Sequence, residues 1–387
     1  MAREHYFGGR EHAAIKHFFL KRYLEALCFK TLQFQSQRSS QPTFSYIDGF
    51  TGPWGARDID YEDTSFGVAL DVLKRVKGKL PNVNIKAVFC EERRKAYEEL
   101  ERFLSEHSGK IDTRCFHRRF EEHITEIRKF IGAHGFRFAF IDPTGWKVDV
   151  SAISPLLKSS WSEVLFNFMA EFIGRFPDFD KVRDAYSSLL GDVDWKSRFE
   201  ALPEEMSNDE KILQIFRDVL KEKWEFSHVL ELPIRKPGRD RTFYKLVYGT
   251  RSPHGVLAFR EAQAKAEREG YAVSAEAETV ASGQQSFFSS DDHAEQIAAS
   301  VGVSSRSNLA LLPDAIAQQL SARGRTDFLE LAGNVLETIP ARERDVKGTI
   351  GAMAKKGALE IASADRKGEP TRNSSISLIP THSGTRT

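Results

Sequence analysis

Short, mostly apolar runs alternate with amphipathic stretches over the first two thirds of the chain. The runs at 44–48, 85–90 and 136–141 have the length and composition of strands, whereas 65–76 and 93–104 place apolar residues on one helical face. Strands that are apolar on both faces and alternate with helices are typical of a parallel sheet covered by helices on both sides. The sequence therefore predicts a doubly wound α/β fold.

Further elements extend this pattern toward the middle of the chain. The additional predicted elements are helices over 11–35 and 120–131 and strands over 113–116 and 164–168. Two later strand-like runs, 229–234 and 243–248, are joined only by the charged turn 235–241. A connection this short allows a hairpin but not a crossover. We therefore expect a mostly parallel sheet with one antiparallel strand at its edge.

The length of 387 residues exceeds that of one ordinary domain. Residues 1–272 form the predicted α/β domain, and 273–310, rich in Ala, Ser, Gln and Gly, form a predicted linker. Helical patterns followed by two strand-like runs predict a winged-helix-like module over 311–380, although a generic helical bundle would give a similar pattern. The tail 381–387 is predicted to be disordered.

Composition and charge exclude several classes of protein. With 56 Lys+Arg against 55 Asp+Glu, the net charge of +1 argues neither for nor against nucleic acid as a partner. No run approaches the ~18 apolar residues that span a bilayer, and the charged N-terminus lacks the apolar region of a signal peptide. Cys28, Cys90 and Cys115 lack metal-ligand spacing, as do the histidines. We expect a cytoplasmic protein with no metal site and no membrane partner.

An acidic residue and small residues follow the first strand. Asp48 ends the strand, and the residues after it let a backbone approach a ligand closely. Such a loop is suited to hold the amino-acid end of a cofactor, although Gly-rich turns after strands are also common without a ligand. The predicted cofactor-binding residues in this loop are Asp48, Gly49, Phe50, Thr51 and Gly52.

A second acid stands where the next strand ends. A carboxylate at this position accepts both hydroxyls of a ribose in nucleoside-binding folds of this type, and Glu91 fits the strand end better than Glu92. The alternative is that both acids merely begin the next helix, where negative charge favours the positive end of the helix dipole. Phe120, which begins the helix after the third strand, is assigned to the same cofactor site.

A third acidic loop follows the strand at 136–141. Asp142 is suited to accept a hydrogen bond or proton from an amine, and Pro143 stiffens the loop and offers its carbonyl group. Trp146 is suited to stack on a planar base, and Thr144 lies beside it. We predict that Asp142 and Pro143 carry the chemistry and that Thr144 and Trp146 contact the substrate. A purely structural Asp-Pro turn is the alternative.

Basic residues supply the remaining substrate contacts that we predict. Arg235 and Arg241 flank the charged turn beside Phe243 and Tyr244, and charge mixed with aromatic rings is suited to phosphates and bases. Lys16 on the first helix is added to this group. A solvated turn beside core aromatic residues would give the same pattern.

The motifs occur in an order that resembles one family. These motifs are His12-x-x-x-Lys16 with Tyr23, Asp48-Gly49-Phe50-Thr51-Gly52-Pro53, Phe89-Cys90-Glu91, Phe140-Ile141-Asp142-Pro143-Thr144-Gly145, Leu165-Phe166-Asn167-Phe168 and Tyr244-x-Leu-Val-Tyr-Gly-Thr-Arg251. Over about residues 10–265 they resemble the bacterial three-Cys-motif partner proteins, a family similar to S-adenosylmethionine-dependent methyltransferases.

The resemblance implies a methyltransferase-like sheet that binds S-adenosyl-L-methionine, and a partner bearing a three-cysteine motif. It also implies that the C-terminal module is the winged-helix domain often attached to this family. The chain departs from the family pattern at three positions, where Thr51 replaces Ala, Trp54 replaces Gly and Thr144 replaces Phe. The larger Trp54 narrows the expected cofactor entrance, and Thr144 alters the loop that faces the substrate.

Two functions of different classes follow from these motifs. The first is an active methyltransferase that acts on an exocyclic amine of a DNA or RNA base, with catalysis by proximity and orientation. The second is a non-catalytic scaffold that uses the cofactor fold to bind nucleic acid or a protein partner. Because a fold alone does not decide between them, titration with S-adenosylmethionine followed by a transfer assay is the discriminating experiment.

Overall fold

Seven strands build the main sheet of the protein. The computed structural model describes residues 11–52, 61, 64–143, 148–169, 183–192, 194–235, 242–282 and 290–379. The strands of the main sheet are β1 (Thr43–Asp48), β2 (Asn84–Glu91), β3 (Asp112–His117), β4 (Phe136–Ile141), β5 (Ser162–Phe168), β6 (His228–Arg235) and β7 (Thr242–Thr250). They lie in the order β3-β2-β1-β4-β5-β7-β6.

Helices connect these strands and continue beyond them. They are α1 (Glu11–Ser36), α2 (Ser65–Lys79), α3 (Arg94–His107), a short 3-10 helix (Phe120–His123), α4 (Ile124–Ile131), α5 (Val150–Leu157), α6 (Arg183–Leu190), α7 (Trp195–Ala201), α8 (Asn208–Glu222), α9 (Pro253–Ser282), α10 (Ser290–Val301), α11 (Arg306–Arg323), α12 (Phe328–Thr338) and α13 (Glu343–Lys355). A second, smaller sheet near the C-terminus contains β8 (Thr326–Asp327), β9 (Leu359–Ala364) and β10 (Pro370–Leu378).

The pairing of the strands confirms the predicted α/β fold class. Strands β1 to β5 pair in parallel, whereas β7 pairs antiparallel with both β5 and β6. The antiparallel strand therefore lies second from the edge, because the β6–β7 hairpin folds back between β5 and the end of the sheet. The molecule has a mostly parallel, methyltransferase-like arrangement of the doubly wound fold.

Alternate residues of each central strand enter two separate cores. In β4, Phe138 and Phe140 pack with residues of α1, α2 and α9, whereas Ala139 and Ile141 pack with residues of α4, α5 and α8. The same alternation occurs in β1. These two cores explain why the strands have almost continuous apolar sequences, since both faces of the sheet exclude water.

Helices occupy most of the region that we predicted as a linker. Helix α9 continues to Ser282, and α10 begins at Ser290. Small side chains form part of their packed surface, since Ala272, Ala275 and Ala294 are buried. Alanine contributes little to an apolar periodicity, so this stretch lacks the strong pattern of the other helices. The division of the chain at 273–310 stays a prediction.

Buried polar contacts join the C-terminal helices to the main sheet. Arg260 of α9 is 1% exposed, and its guanidinium donates to the backbone oxygens of Leu336 (2.8 Å) and Glu337 (3.1 Å) at the end of α12. The carboxylate of Glu337 accepts a hydrogen bond from the backbone N–H of Val229 in β6 (3.2 Å).

The small sheet has the antiparallel order β8-β10-β9. In the part of the chain that the structure describes, none of the helices combines the length and the apolar character of a membrane-spanning segment.

Candidate functional site

The loop after β1 is held against both neighbouring strands. The backbone N–H of Gly49 donates to the oxygen of Phe140 in β4 (3.2 Å), and that of Thr51 donates to the oxygen of Cys90 in β2 (2.7 Å). These two bonds fix the loop across the carboxyl ends of three strands. This edge is where ligands bind in doubly wound sheets.

Position 49 requires glycine because the ring of Phe120 leaves no room for a side chain there. A Cβ atom at this position would lie 2.7 Å from Cδ1 of Phe120, which is closer than real side chains approach. The ring of Phe50 meets the same phenylalanine edge to face, with 6.1 Å between the ring centroids. The absence of a side chain at Gly49 therefore lets the loop pack directly on Phe120.

Burial controls the charge of Asp48. This residue is 1% exposed, and its carboxylate accepts hydrogen bonds from the backbone N–H of Phe50 (3.2 Å) and the hydroxyl of Tyr46 (3.3 Å). Burial raises the pKa of Asp48 to about 7, and the negative charge of Asp142 adds to the rise while the hydrogen bonds oppose it. Close to neutral pH, a cationic ligand group at this position would favour the ionised carboxylate.

Glu91 ends β2 with its side chain almost wholly buried. Its Oε1 accepts a hydrogen bond from the backbone N–H of Arg93 (2.7 Å), and its backbone oxygen accepts one from Arg118 (3.1 Å). Arg118 has a φ of 97°, a left-handed conformation that non-glycine residues seldom adopt. Strained backbone of this kind tends to occur at functional sites, and here it turns the chain from β3 toward Phe120.

A cavity of about 650 Å³ opens at these strand ends. Four of the residues predicted to bind a cofactor line it, namely Gly49, Phe50, Glu91 and Phe120. The contribution of α6 to the cavity was not expected, since no helix was predicted from the sequence at 183–190. The residues of its lining that were not predicted include Arg93, Arg118, Arg119, Val148, Asp184 and Ser188. Asp48 and Thr51 are buried and do not line the cavity, and Gly52 does not line it either.

A second polar cluster lies beside Asp142 on the face of the sheet that α1 covers. Nζ of Lys16 in α1 lies 2.8 Å from Oδ2 of Asp142, and the two side chains are 15% and 19% exposed. The other carboxylate oxygen, Oδ1, accepts a hydrogen bond from Nδ2 of Asn167 in β5. Nζ of Lys16 also lies 5.9 Å from the centroid of the Tyr244 ring. Three elements distant in sequence thus meet at one carboxylate.

The remaining predicted site residues fall in different places. Pro143 is buried next to Asp142. Thr144, Trp146 and Arg241 lie outside the described residues, as does the side chain of Arg235, whose backbone ends β6. Asn167 received no role from the sequence, although it belongs to one of the motifs that carry the family resemblance.

Comparisons with known proteins add little to this geometry. No protein-family model and no curated protein matches the sequence. A solved structure of a Legionella pneumophila protein of the DUF519 family is 12% identical, covers 63% of this chain and 86% of its own, and has a TM-score of 0.33. A Staphylococcus aureus protein described as a candidate caffeoyl-CoA O-methyltransferase is 9% identical, covers 58% of this chain and 83% of its own, and has a TM-score of 0.27. The strand order, rather than these distant similarities, defines the class as methyltransferase-like.

Proposed function

We propose that this protein is an S-adenosylmethionine-dependent methyltransferase that acts on an amino group of a nucleic-acid base. The observation that carries the proposal is the cavity at the carboxyl ends of the strands, which Gly49, Glu91 and Phe120 line together. Its volume of about 650 Å³ lies within the range of small-molecule sites. Its position agrees with the rule for ligands of doubly wound sheets.

The residues of the cavity fit a nucleoside with an amino-acid tail. The buried carboxylate of Glu91 would accept hydrogen bonds from ribose hydroxyls, and Phe120 offers an apolar ring to a purine. Gly49 lets the loop pack directly on Phe120, and both residues line the cavity side by side. Asp48 does not line the cavity, but it is buried against the loop with a pKa of about 7, so a nearby ammonium group of the methionine would favour its ionised form.

The cluster around Asp142 is the proposed acceptor side of the site. The bound cofactor supplies a methyl group on a positively charged sulfur. Asp142 would accept a hydrogen bond from the amine and, with Pro143 stiffening the loop, would hold its nitrogen in line with that methyl group. Positioning of this kind contributes up to ~7–11 kcal/mol to catalysis in favourable cases. Lys16 would hold the carboxylate in place through its 2.8 Å ion pair.

The C-terminal part supports nucleic acid as the substrate class. Its order α11, β8, α12, α13, β9, β10 and the sheet order β8-β10-β9 are typical of a winged-helix module, a variant of the helix-turn-helix fold. Arg344, Lys355 and Lys356 are exposed on α13 and beside its end. Such residues would contact phosphates if α13 lay in a groove. A cytoplasmic location and a partner with a three-cysteine motif follow from the sequence and its family resemblance, and they belong to the same proposal.

Calorimetric titration with S-adenosylmethionine, followed by transfer from methyl-labelled cofactor to separate DNA, RNA and protein pools, tests the proposal. We expect saturable binding and label in a nucleic-acid pool. Absence of binding by the wild-type protein would contradict the cofactor assignment. Binding without transfer to any pool would instead favour the non-catalytic scaffold.

A further inference from the structure

We propose that Asn167 recognises the acceptor group and that the site selects a primary amine, –NH2, which it methylates once. This inference rests on the proposed methyltransferase function and specifies its substrate class. It depends on two neighbouring side chains, Asn167 and Asp142, which are joined by a hydrogen bond and would each offer an acceptor atom to a common ligand. Asn167 lies directly beside Asp142 because β4 and β5 pair in parallel, with Ile141 opposite Phe166.

The side-chain amide of Asn167 has a hydrogen-bond partner at its nitrogen but not at its oxygen among the described residues. Nδ2 donates to Asp142, which fixes the orientation of the amide and hence the position of Oδ1. Asn167 is 5% exposed, and Oδ1 is buried without a hydrogen-bond donor among the residues that the structure describes. An unsatisfied buried acceptor destabilises a protein, so a donor supplied by a ligand would be favoured at this position.

The charge of the cluster selects a neutral donor. Lys16 and Asn167 each occupy one oxygen of Asp142, and a carboxylate oxygen can accept a further hydrogen bond. Because the ion pair with Lys16 neutralises the carboxylate, an ammonium ion gains little attraction here. A neutral amine fits better, and it retains the lone pair that a methyl transfer requires. Its two N–H groups match the two acceptors, Asp142 and Asn167.

The same acceptors limit the reaction to one methyl group. The nitrogen lone pair forms the new N–C bond while the C–S bond breaks, and its electron pair leaves with sulfur, which changes from a sulfonium to a neutral thioether. The nitrogen then loses one proton through Asp142 to water. The product has a single N–H, so a second round would leave one buried acceptor unpaired, and sites built on such hydrogen bonds reject partners that lack them.

Product analysis and one substitution test this inference. Wild-type protein and N167A are assayed with labelled S-adenosylmethionine on DNA and RNA pools, and the labelled base is identified after nuclease digestion. An oligonucleotide that contains this base is then compared with its N-monomethylated copy. The matched control is N334A, because Asn334 in α12 also has a buried side-chain atom, Nδ2, without a partner among the described residues.

We expect a monomethylated exocyclic amine as the product and about 10- to 100-fold lower kcat/KM on the monomethylated oligonucleotide. N167A should lose about 10- to 100-fold in kcat/KM on the primary amine and most of this discrimination, with its Kd for S-adenosylmethionine unchanged. N334A should transfer like the wild type.

Four results overturn the inference while leaving cofactor binding intact. These are a dimethylated product, label on carbon, oxygen or a ring nitrogen, equal transfer by N167A and N334A, and binding without transfer to any amine. Failure of the wild-type protein to bind S-adenosylmethionine would instead remove the proposed function itself.

Discussion

At the scale of single residues, the strand-end acids could be predicted, whereas their partners could not. Asp48, Glu91 and Asp142 each follow an apolar run, and this local pattern is visible in the sequence. The ion pair of Asp142 with Lys16 spans 126 positions, so no local pattern contains it. The half-satisfied amide of Asn167 depends likewise on the pairing of β4 with β5.

Glu91 and Glu92 provide a matched pair of substitutions. We predict that E91Q weakens binding of S-adenosylmethionine by about 1–3 kcal/mol, because its amide replaces a buried charged acceptor of ribose hydroxyls. E92Q should weaken binding less than E91Q does, since Glu92 also lines the cavity but is exposed to solvent. Calorimetry on both variants measures the difference. A larger loss in E92Q would move the ribose contact to that residue.

The raised pKa of Asp48 predicts that the free energy of unfolding depends on pH. Its pKa of about 7 in the folded protein lies above that of an unfolded aspartate, 3.8, so between these values the folded state binds more protons. This group therefore lowers the free energy of unfolding as the pH rises from about 4 through 7, by up to ~4 kcal/mol in total. D48N cannot ionise, so its stability relative to the wild type should increase with pH.

Urea unfolding of D48N and the wild type at pH 5 and pH 8 measures this effect. The comparison of the two proteins cancels the contributions of the titrating groups that they share. An equal stability difference at both pH values would show that Asp48 has no raised pKa in the folded protein.

At the scale of elements, strong apolar patterns predicted strands and helices, but not what holds them together. Helix α1 was expected from its apolar stripe, and it is fastened to the sheet by the hydroxyl of Tyr23, which donates to Glu163 in β5 (2.6 Å). Thr250 of β7 donates to the same buried carboxylate (2.9 Å). Burial raises the pKa of Glu163, so these donors are needed to offset the desolvation of its charge.

Removal of one hydroxyl tests this attachment of α1. We predict that Y23F lowers the free energy of unfolding by about 1–3 kcal/mol, because a buried acceptor loses its donor. Tyr97 offers the matched control, since its hydroxyl donates to Glu101 (2.6 Å) at the exposed surface of α3. Y97F should change stability by less than about 0.5 kcal/mol. Equal effects of the two substitutions in urea unfolding would contradict the role assigned to Tyr23.

At the scale of the whole molecule, the main sheet was predictable and the attachment of the C-terminal part was not. Continuous apolar strands and one short hairpin were enough to predict a mostly parallel sheet. The polar contacts of Arg260 and Glu337 join helices α9 and α12 to strand β6, and these elements are distant in sequence. The alanine-rich helices α9 and α10 have only a weak apolar pattern. The C-terminal helices share a continuous core with the α1 face of the main sheet.

The central claim is that the cavity at the strand ends holds S-adenosylmethionine, and a crystal structure with S-adenosylhomocysteine, the demethylated cofactor, tests it most directly. We expect ribose hydroxyls within hydrogen-bond distance of Glu91, the purine against Phe120 and the amino-acid end along the loop at Gly49. Ligand bound elsewhere, or an empty cavity at a saturating concentration, would contradict the account.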